Sequence, residues 1–221
     1  MWRFASFFIG AVFAGLIFFL AVPRLMASLE LLYVHGLDTH LEESEKLNAA
    51  ELHRLREGYI TSLGYLEQSS VYFSKATSEI ELARREPEKY QEWVEEAVAS
   101  LKNSLRLGPS NPEGWLWLAQ LDKLFPEDRD DVSDAFALAL LLGPYEKMLV
   151  PQYLRYGFED WDKMTPDQQD QLTDLVIWLE RVNRPVLANL AKENSAYFVK
   201  IVNILVSDEV ALARFIKFIG L

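Results

Sequence analysis

NPEGWLWLAQL (residues 111–121) and FALALLLGP (residues 136–144) are the stretches whose reading decides the fold. In the first, Asn111 reads as a helix N-cap and Pro112 as the first helical residue, where a fixed φ suits the turn and no N–H is needed. In the second, Phe136 and Ala139 sit one turn apart, and Gly143-Pro144 ends the helix. Leu140-Leu141-Leu142-Gly143-Pro144 has a counterpart in Leu105-Arg106-Leu107-Gly108-Pro109, 35 residues earlier. The same shift carries Leu101 onto Phe136. Paired helices recurring at a fixed interval predict stacked helical hairpins.

Helix punctuation continues in both directions. Toward the N-terminus, Trp93, Ala97, Leu101 and Leu105 recur every four residues after Pro87, predicting one helix that stops at Gly108. Before it, Leu55, Tyr59, Leu63, Leu66, Phe73 and Ile80 follow a spacing of three, four or seven, which reads equally as one face of a single helix or as a helical pair with a hairpin break near Gln68–Ser70. Gly58 and Gly64 weaken any single long helix there. Residues 41–57 are rich in good helix formers. Toward the C-terminus, Asp128, Asp130 and Asp131 place acids at the positive end of a helix dipole, and Pro126 ends the helix before. A helix is expected over about 147–158. Thr165-Pro166-Asp167-Gln168 is a capping box opening another through Leu172, Leu175 and Leu179. Pro185 and Ser207-Asp208-Glu209 open the last elements.

A period near 34 with an early Trp, small residues at helix crossings and a closing Pro is the tetratricopeptide pattern. In that register Trp115 and Ala119 fall on the hallmark positions of the first helix. Phe136 and Ala139 take the large and small positions of the second. One inserted residue in 122–131 reconciles the two counts. This unit covers about 112–144, with degenerate neighbours at about 75–110 and 147–182. Three hairpins are about the minimum for a stable stack.

Residues Phe4–Val22 are nineteen uncharged, mostly apolar residues between Arg3 and Pro23-Arg24. As a helix they would cover about 28 Å, close to the roughly 30 Å hydrocarbon core of a bilayer. The run is longer than a signal peptide's apolar region and no small-x-small cleavage site follows it, which favours an uncleaved signal-anchor. Arg3 and the terminal amine outweigh Arg24, so the positive-inside rule favours a cytoplasmic N-terminus in the plasma membrane. In a bacterial cell the body would then be periplasmic. The expected layout is a transmembrane signal-anchor at 1–25, a membrane-proximal helical segment at 26–85, tetratricopeptide-like hairpins at 86–182 and C-terminal capping helices at 183–221. The fold class is all-α.

Lys and Arg number 22 against 33 Asp and Glu, for a net charge of −11. Such a surface repels phosphates, and no basic cluster offsets it, which argues against nucleic acid as a partner. The acidity suits a basic protein partner or simply solubility. With no cysteine, disulfides, thiolate metal sites and cysteine nucleophiles are excluded. His35 and His40 have the wrong spacing for one helix face. His53 and Glu57 share a face, an arrangement more typical of a surface contact than of a metal site. Val132, Ser133 and Ala139 break any calcium-loop reading of the 128–134 acids. Phosphate-binding loops and nucleophile elbows are missing from the sequence. The reading is non-catalytic, with no cofactor and no metal.

The expected function is therefore binding. In a tetratricopeptide stack the first helices line the concave face, and this register puts Leu116, Gln120 and Lys123 there from one hairpin and Arg155 from the next. Trp115 and Trp117 lie about 200° apart around a helix. One belongs to the core, and Trp117 reads either as a Trp buried by the neighbouring hairpin, which is preferred, or as an exposed aromatic that would anchor a partner. The apolar segment 196–221 reads as a buried terminal helix or as a surface meeting bilayer or partner, with burial preferred.

The N-terminal anchor, Asn111-Pro112-Glu113-Gly114-Trp115, Leu142-Gly143-Pro144, Val150-Pro151-Gln152-Tyr153-Leu154-Arg155-Tyr156-Gly157, Trp161 and Thr165-Pro166 together give a family likeness. The chain resembles the single-span, tetratricopeptide-like accessory proteins of bacterial exopolysaccharide biosynthesis, typified by the Vibrio polysaccharide biosynthesis protein P group. The likeness covers about residues 1–25 and 85–180 and consists of helix punctuation and packing residues. It implies an accessory role in assembling or exporting a surface polysaccharide, through a protein partner, and transfers no catalytic residue. Two other readings stay open: an assembly subunit of another membrane complex, as in cytochrome maturation or secretion, and a glycan-active enzyme.

Overall fold

The computed structural model describes residues 2–42, 47–123 and 134–220, and every regular element among them is helical. The chain divides into two compact units, Met1–Pro109 and Ser110–Leu221. The division falls inside the 86–182 stretch read as one array.

The first unit holds α1 (Trp2–Glu42), α2 (Ala49–Tyr65), α3 (Ser69–Arg85) and α4 (Tyr90–Leu107), each packed on its predecessor. α1 is 41 residues of continuous helix with Pro23 inside it, about 61 Å long. Its segment Gly10–Asp38 is long and apolar enough to cross a membrane, with an 18-residue stretch of mean hydropathy 2.0. The helix does not stop where the apolar run stops. Beyond Pro23 one side of it turns inward, burying Ala27 and Val34 against α2.

α2 begins at a capping box that sequence reading missed. Asn48 Oδ1 accepts from the Glu51 N–H at 3.0 Å, and Glu51 accepts from the Asn48 N–H at 2.8 Å, satisfying two donors at once. α2 ends at Tyr65 and α3 starts at Ser69, so of the two readings the helical pair is the one found, with its break at 66–68. In α4, Trp93, Ala97, Leu101 and Leu105 are all buried, so the four-residue period was the core face. The start of α3 and the last turn of α4 are joined by reciprocal bonds. Ser69 Oγ donates to the Ser104 carbonyl at 2.9 Å and Ser104 Oγ to the Ser69 carbonyl at 2.8 Å. A Cβ on Gly108 would come within 2.5 Å of Ser69 Oγ, so a larger residue there would have to displace that hydroxyl from its bond to Ser104.

The second unit holds α5 (Pro112–Asp122), α6 (Asp134–Leu142), α7 (Val150–Glu159), α8 (Pro166–Val182), α9 (Arg184–Glu193), α10 (Ser195–Leu205) and α11 (Glu209–Ile219). Asn111 caps α5 through the Glu113 and Gly114 N–H groups, and Thr165 and Gln168 form the capping box of α8. The acids Asp128, Asp130 and Asp131, Pro126, and the insertion placed in 122–131 lie in or beside 124–133, outside the described residues. α5 and α6 pack as a hairpin in which Ala119, Phe136 and Ala139 are fully buried. Phe136 stacks on Tyr156 at 4.2 Å, and Tyr153 donates to the Ala139 carbonyl at 3.1 Å, which seats α7 on α6.

The later helices pack less serially. α10 contacts α7, α8 and α9, and α11 returns to α8 and α9. α7 starts at Val150 rather than near 147, because Pro151 belongs in a first turn and Glu146–Leu149 form a turn of their own. The C-terminal apolar segment is two helices, neither fully buried. Tyr197, Ile201, Leu205, Ala211 and Phe215 face inward, while Val199, Val206, Val210 and Phe218 stay exposed.

Candidate functional site

Of the five residues expected on a binding face, Leu116 is not there. It is 0 % exposed. Leu116 lies three residues before the buried Ala119, which puts both on the side of α5 that meets its neighbours. This corrects the assignment of Leu116: it is a core residue. Trp117 and Gln120 are half-buried, as is Trp115.

Lys123 and Arg155 come near the same strip but are already engaged. Lys123 Nζ, at the end of α5, sits 3.0 Å from Glu159 and 2.6 Å from Asp160, and 3.7 Å above the ring of Tyr156. Burial pushes the Asp160 carboxyl up, but Lys123 and Lys163 outweigh it and hold it below the ordinary carboxylate range. Arg155 grips Glu193 with both fork arms, at 2.8 and 2.7 Å. That bond holds the Glu193 carboxyl low. Between the two pairs, Tyr197 Oη donates to Glu159 at 2.9 Å. Its phenol is pushed up to about 12 by burial and then by that carboxylate. The strip from α5 across α7 to α9 and α10 is thus a self-neutralised lattice of cations, acids and aromatics. Arg155 offers a partner its guanidinium only in competition with Glu193.

The surface that sequence reading missed lies at the end of α6. Leu141, Leu142, Tyr145 and Met148 are 70, 42, 53 and 82 % exposed, four apolar side chains within eight residues. The signal was present: Ala135 to Leu142 contains no polar residue, and one side of the helix satisfies the core through Ala135, Phe136, Ala139 and Leu140. The other side is half-buried at Ala137 and Leu138 and exposed at Leu141 and Leu142.

Two polar constructions stand in the first unit. Glu79 is 0 % exposed and accepts from Arg56 at 2.8 Å, Lys75 at 2.6 Å and Ser100 at 2.7 Å. It ties α2, α3 and α4 together. His53 pairs with Glu86 at 2.7 Å rather than with Glu57, and Trp93 Nε1 donates to the same carboxylate at 3.0 Å. The hydrogen bond from His53, then that from Trp93, holds the Glu86 carboxyl low. Separately, an open groove of about 470 Å³ runs between α1 and α3 over Tyr59, lined by Ser28, Leu32, His35, Ser70 and Ser74 among others. Its floor is fixed where Tyr59 donates to Asp38. Among the described residues no cluster of three or more His, Asp or Glu stands in metal-holding geometry.

The chain matches no protein family, no curated protein and no solved structure closely enough to carry a likeness.

Proposed function

We propose that this chain is a non-catalytic, membrane-anchored scaffold whose helical body binds another protein of a cell-envelope pathway, with assembly or export of a surface polysaccharide as its setting. The single observation that carries the scaffold reading is α1: an apolar segment of membrane-crossing length that continues without a break into the packed body. Such a helix holds the body at a set height above the bilayer, which is what a tether for a partner requires. The α5–α6 hairpin, with Trp115, Ala119, Phe136 and Ala139 in tetratricopeptide register, supports a repeat-like docking body. The polysaccharide setting rests on the family resemblance alone, and the N-in orientation on the charges flanking the span.

The partner-binding face is the Leu141–Met148 edge together with Trp117 and Gln120. An apolar centre on a chain of net charge −11 suits a partner with aliphatic side chains ringed by Lys and Arg. The test is membrane fractionation followed by crosslinking and capture of the full-length chain. Expected are resistance to alkaline extraction and a specific co-captured protein lost in a Leu141→Glu, Met148→Glu variant. Release by alkaline treatment, or capture unaffected by the two charges, would overturn the reading.

A further inference from the structure

The groove between α1 and α3 holds an acid that the fold leaves without a cation. Glu79, Glu86, Asp160 and Glu180 also turn inward, and each meets a Lys or Arg within ion-pair distance. The half-buried Asp38 instead accepts from the Tyr59 hydroxyl, a neutral donor. Among the described residues no cation reaches it, and none of those lining the groove is Lys or Arg. The rest of the lining fits what would come to such an acid. Ser70 and Ser74, one turn apart on α3, add hydroxyl oxygens that can accept, and Leu31, Leu32 and Val71 supply apolar wall. Apolar wall beside a carboxylate and hydroxyls is the complement of an ammonium on an aliphatic stem. The space, about 470 Å³, exceeds one such side chain and admits the backbone that carries it.

We propose that this groove receives a lysine side chain of the protein partner. The source of that lysine rests on the scaffold reading, and the groove gives the basic partner a defined point of attachment. Lysine fits better than arginine. Tyr59 already occupies one Asp38 oxygen, which spoils the two-armed grip of a guanidinium fork on both carboxylate oxygens. The three protons of an ammonium can instead be shared between Asp38 and the serines. A lipid amine is out of reach on the anchor reading. Asp38 lies sixteen residues beyond Val22, about 24 Å along the helix, whereas the headgroup layer is only about 5–8 Å deep.

The test uses the purified full-length chain in phosphatidylcholine nanodiscs and ligand-detected saturation-transfer NMR. The probes are a glycine-serine peptide with one central lysine, the same peptide with arginine or Nε-acetyl-lysine there, and cadaverine. The lysine peptide should receive transfer on its side-chain methylenes and bind about tenfold more tightly than the other two peptides. Asp38→Asn keeps an oxygen for Tyr59 to donate to, so the fold should hold, checked by circular dichroism, while affinity for the lysine peptide falls about tenfold. Ser70→Leu, at an exposed position, should fill the groove and abolish the signal while leaving the acid in place. Equal affinity for the three peptides, or lysine binding unchanged in either variant, would overturn the proposal. Cadaverine binding more tightly than the lysine peptide would overturn the protein source and assign the groove to a free diamine. Failure of the scaffold reading shows separately, in alkaline extraction and partner capture.

Discussion

Two carboxylates, Glu79 and Glu180, are each 0 % exposed and each held by two cations, but they differ in what those cations can do alone. Around Glu79, the side chains of Arg56 and Lys75 are only 15 and 11 % exposed. Around Glu180, Arg184 and Arg214 are 28 and 45 % exposed and can turn toward water. Breaking a buried pair is costly because the remaining charge is stranded, at about 3–5 kcal/mol. Glu79→Gln should therefore lose stability on that scale and Glu180→Gln distinctly less, in denaturant melts of the two variants side by side. The reverse order would mean that rescue by solvent does not govern these sites. Glu180 adds a pH test. Burial pushes its carboxyl up, but hydrogen bonds from Arg214 and Arg184 more than offset this and hold it below the ordinary value. A folded value below the unfolded one of about 4.3 gives stability present above that pH and lost as pH falls through the folded pKa. Glu180→Gln should flatten that acid limb.

At the scale of elements, the crossing of α1 and α2 depends on Gly58. A Cβ there would lie 2.5 Å from Val34 Cγ1, so the helices are closer than any side chain permits without movement. Gly58→Leu should cost about 1–3 kcal/mol through overpacking, and adding Val34→Ala should restore part of it in thermal melts. Read along the sequence, Gly58 looked only like a weak point in a helix. That contrast separates what was legible from what was not. Helix ends were legible because their causes are local: Asn111-Pro112, Thr165-Pro166, Gly108-Pro109 and Gly143-Pro144 act on their own turn. The one-sided burial of Trp93, Ala97, Leu101 and Leu105 was legible for the same reason. Pairing across helices was not. Glu79 finds Arg56 and Ser100 at separations of 23 and 21 residues, and Arg155 finds Glu193 at 38. Nothing in a stretch of sequence selects those partners among 33 acids. Leu116 was misplaced because its side of α5 is set by what packs there, and the α6 edge was overlooked because an all-apolar run has no polar position to mark which side faces water.

The whole molecule turns on the double duty of α1, which is long and apolar enough to cross a membrane at one end and is a core helix at the other. Residues 10–20 are exposed throughout, whereas Ala27 is fully buried and Val34 nearly so. The Ala27 carbonyl also accepts from the buried Ser62 hydroxyl at 3.1 Å. Removing residues 1–24 takes away most of the apolar run but spares Ala27 and Val34, which α2 buries, so on the anchor reading the remaining chain should leave the membrane and keep its helicity and melting temperature. Removing residues 1–42 strips Ala27 and Val34 from α2, leaves Ser62 without its acceptor and uncovers the α1-facing side of α2. The loss should be on the order of 2–4 kcal/mol, from apolar burial and the orphaned hydroxyl together. Because the two units have separate cores, hydrogen exchange should rise in α2 and α3 while α8 and α9 keep their protection. Equal stability of the two truncations would mean that α1 beyond Pro23 is a passive stalk. Its packing against Gly58 and Ser62 argues that it is instead the first helix of the body.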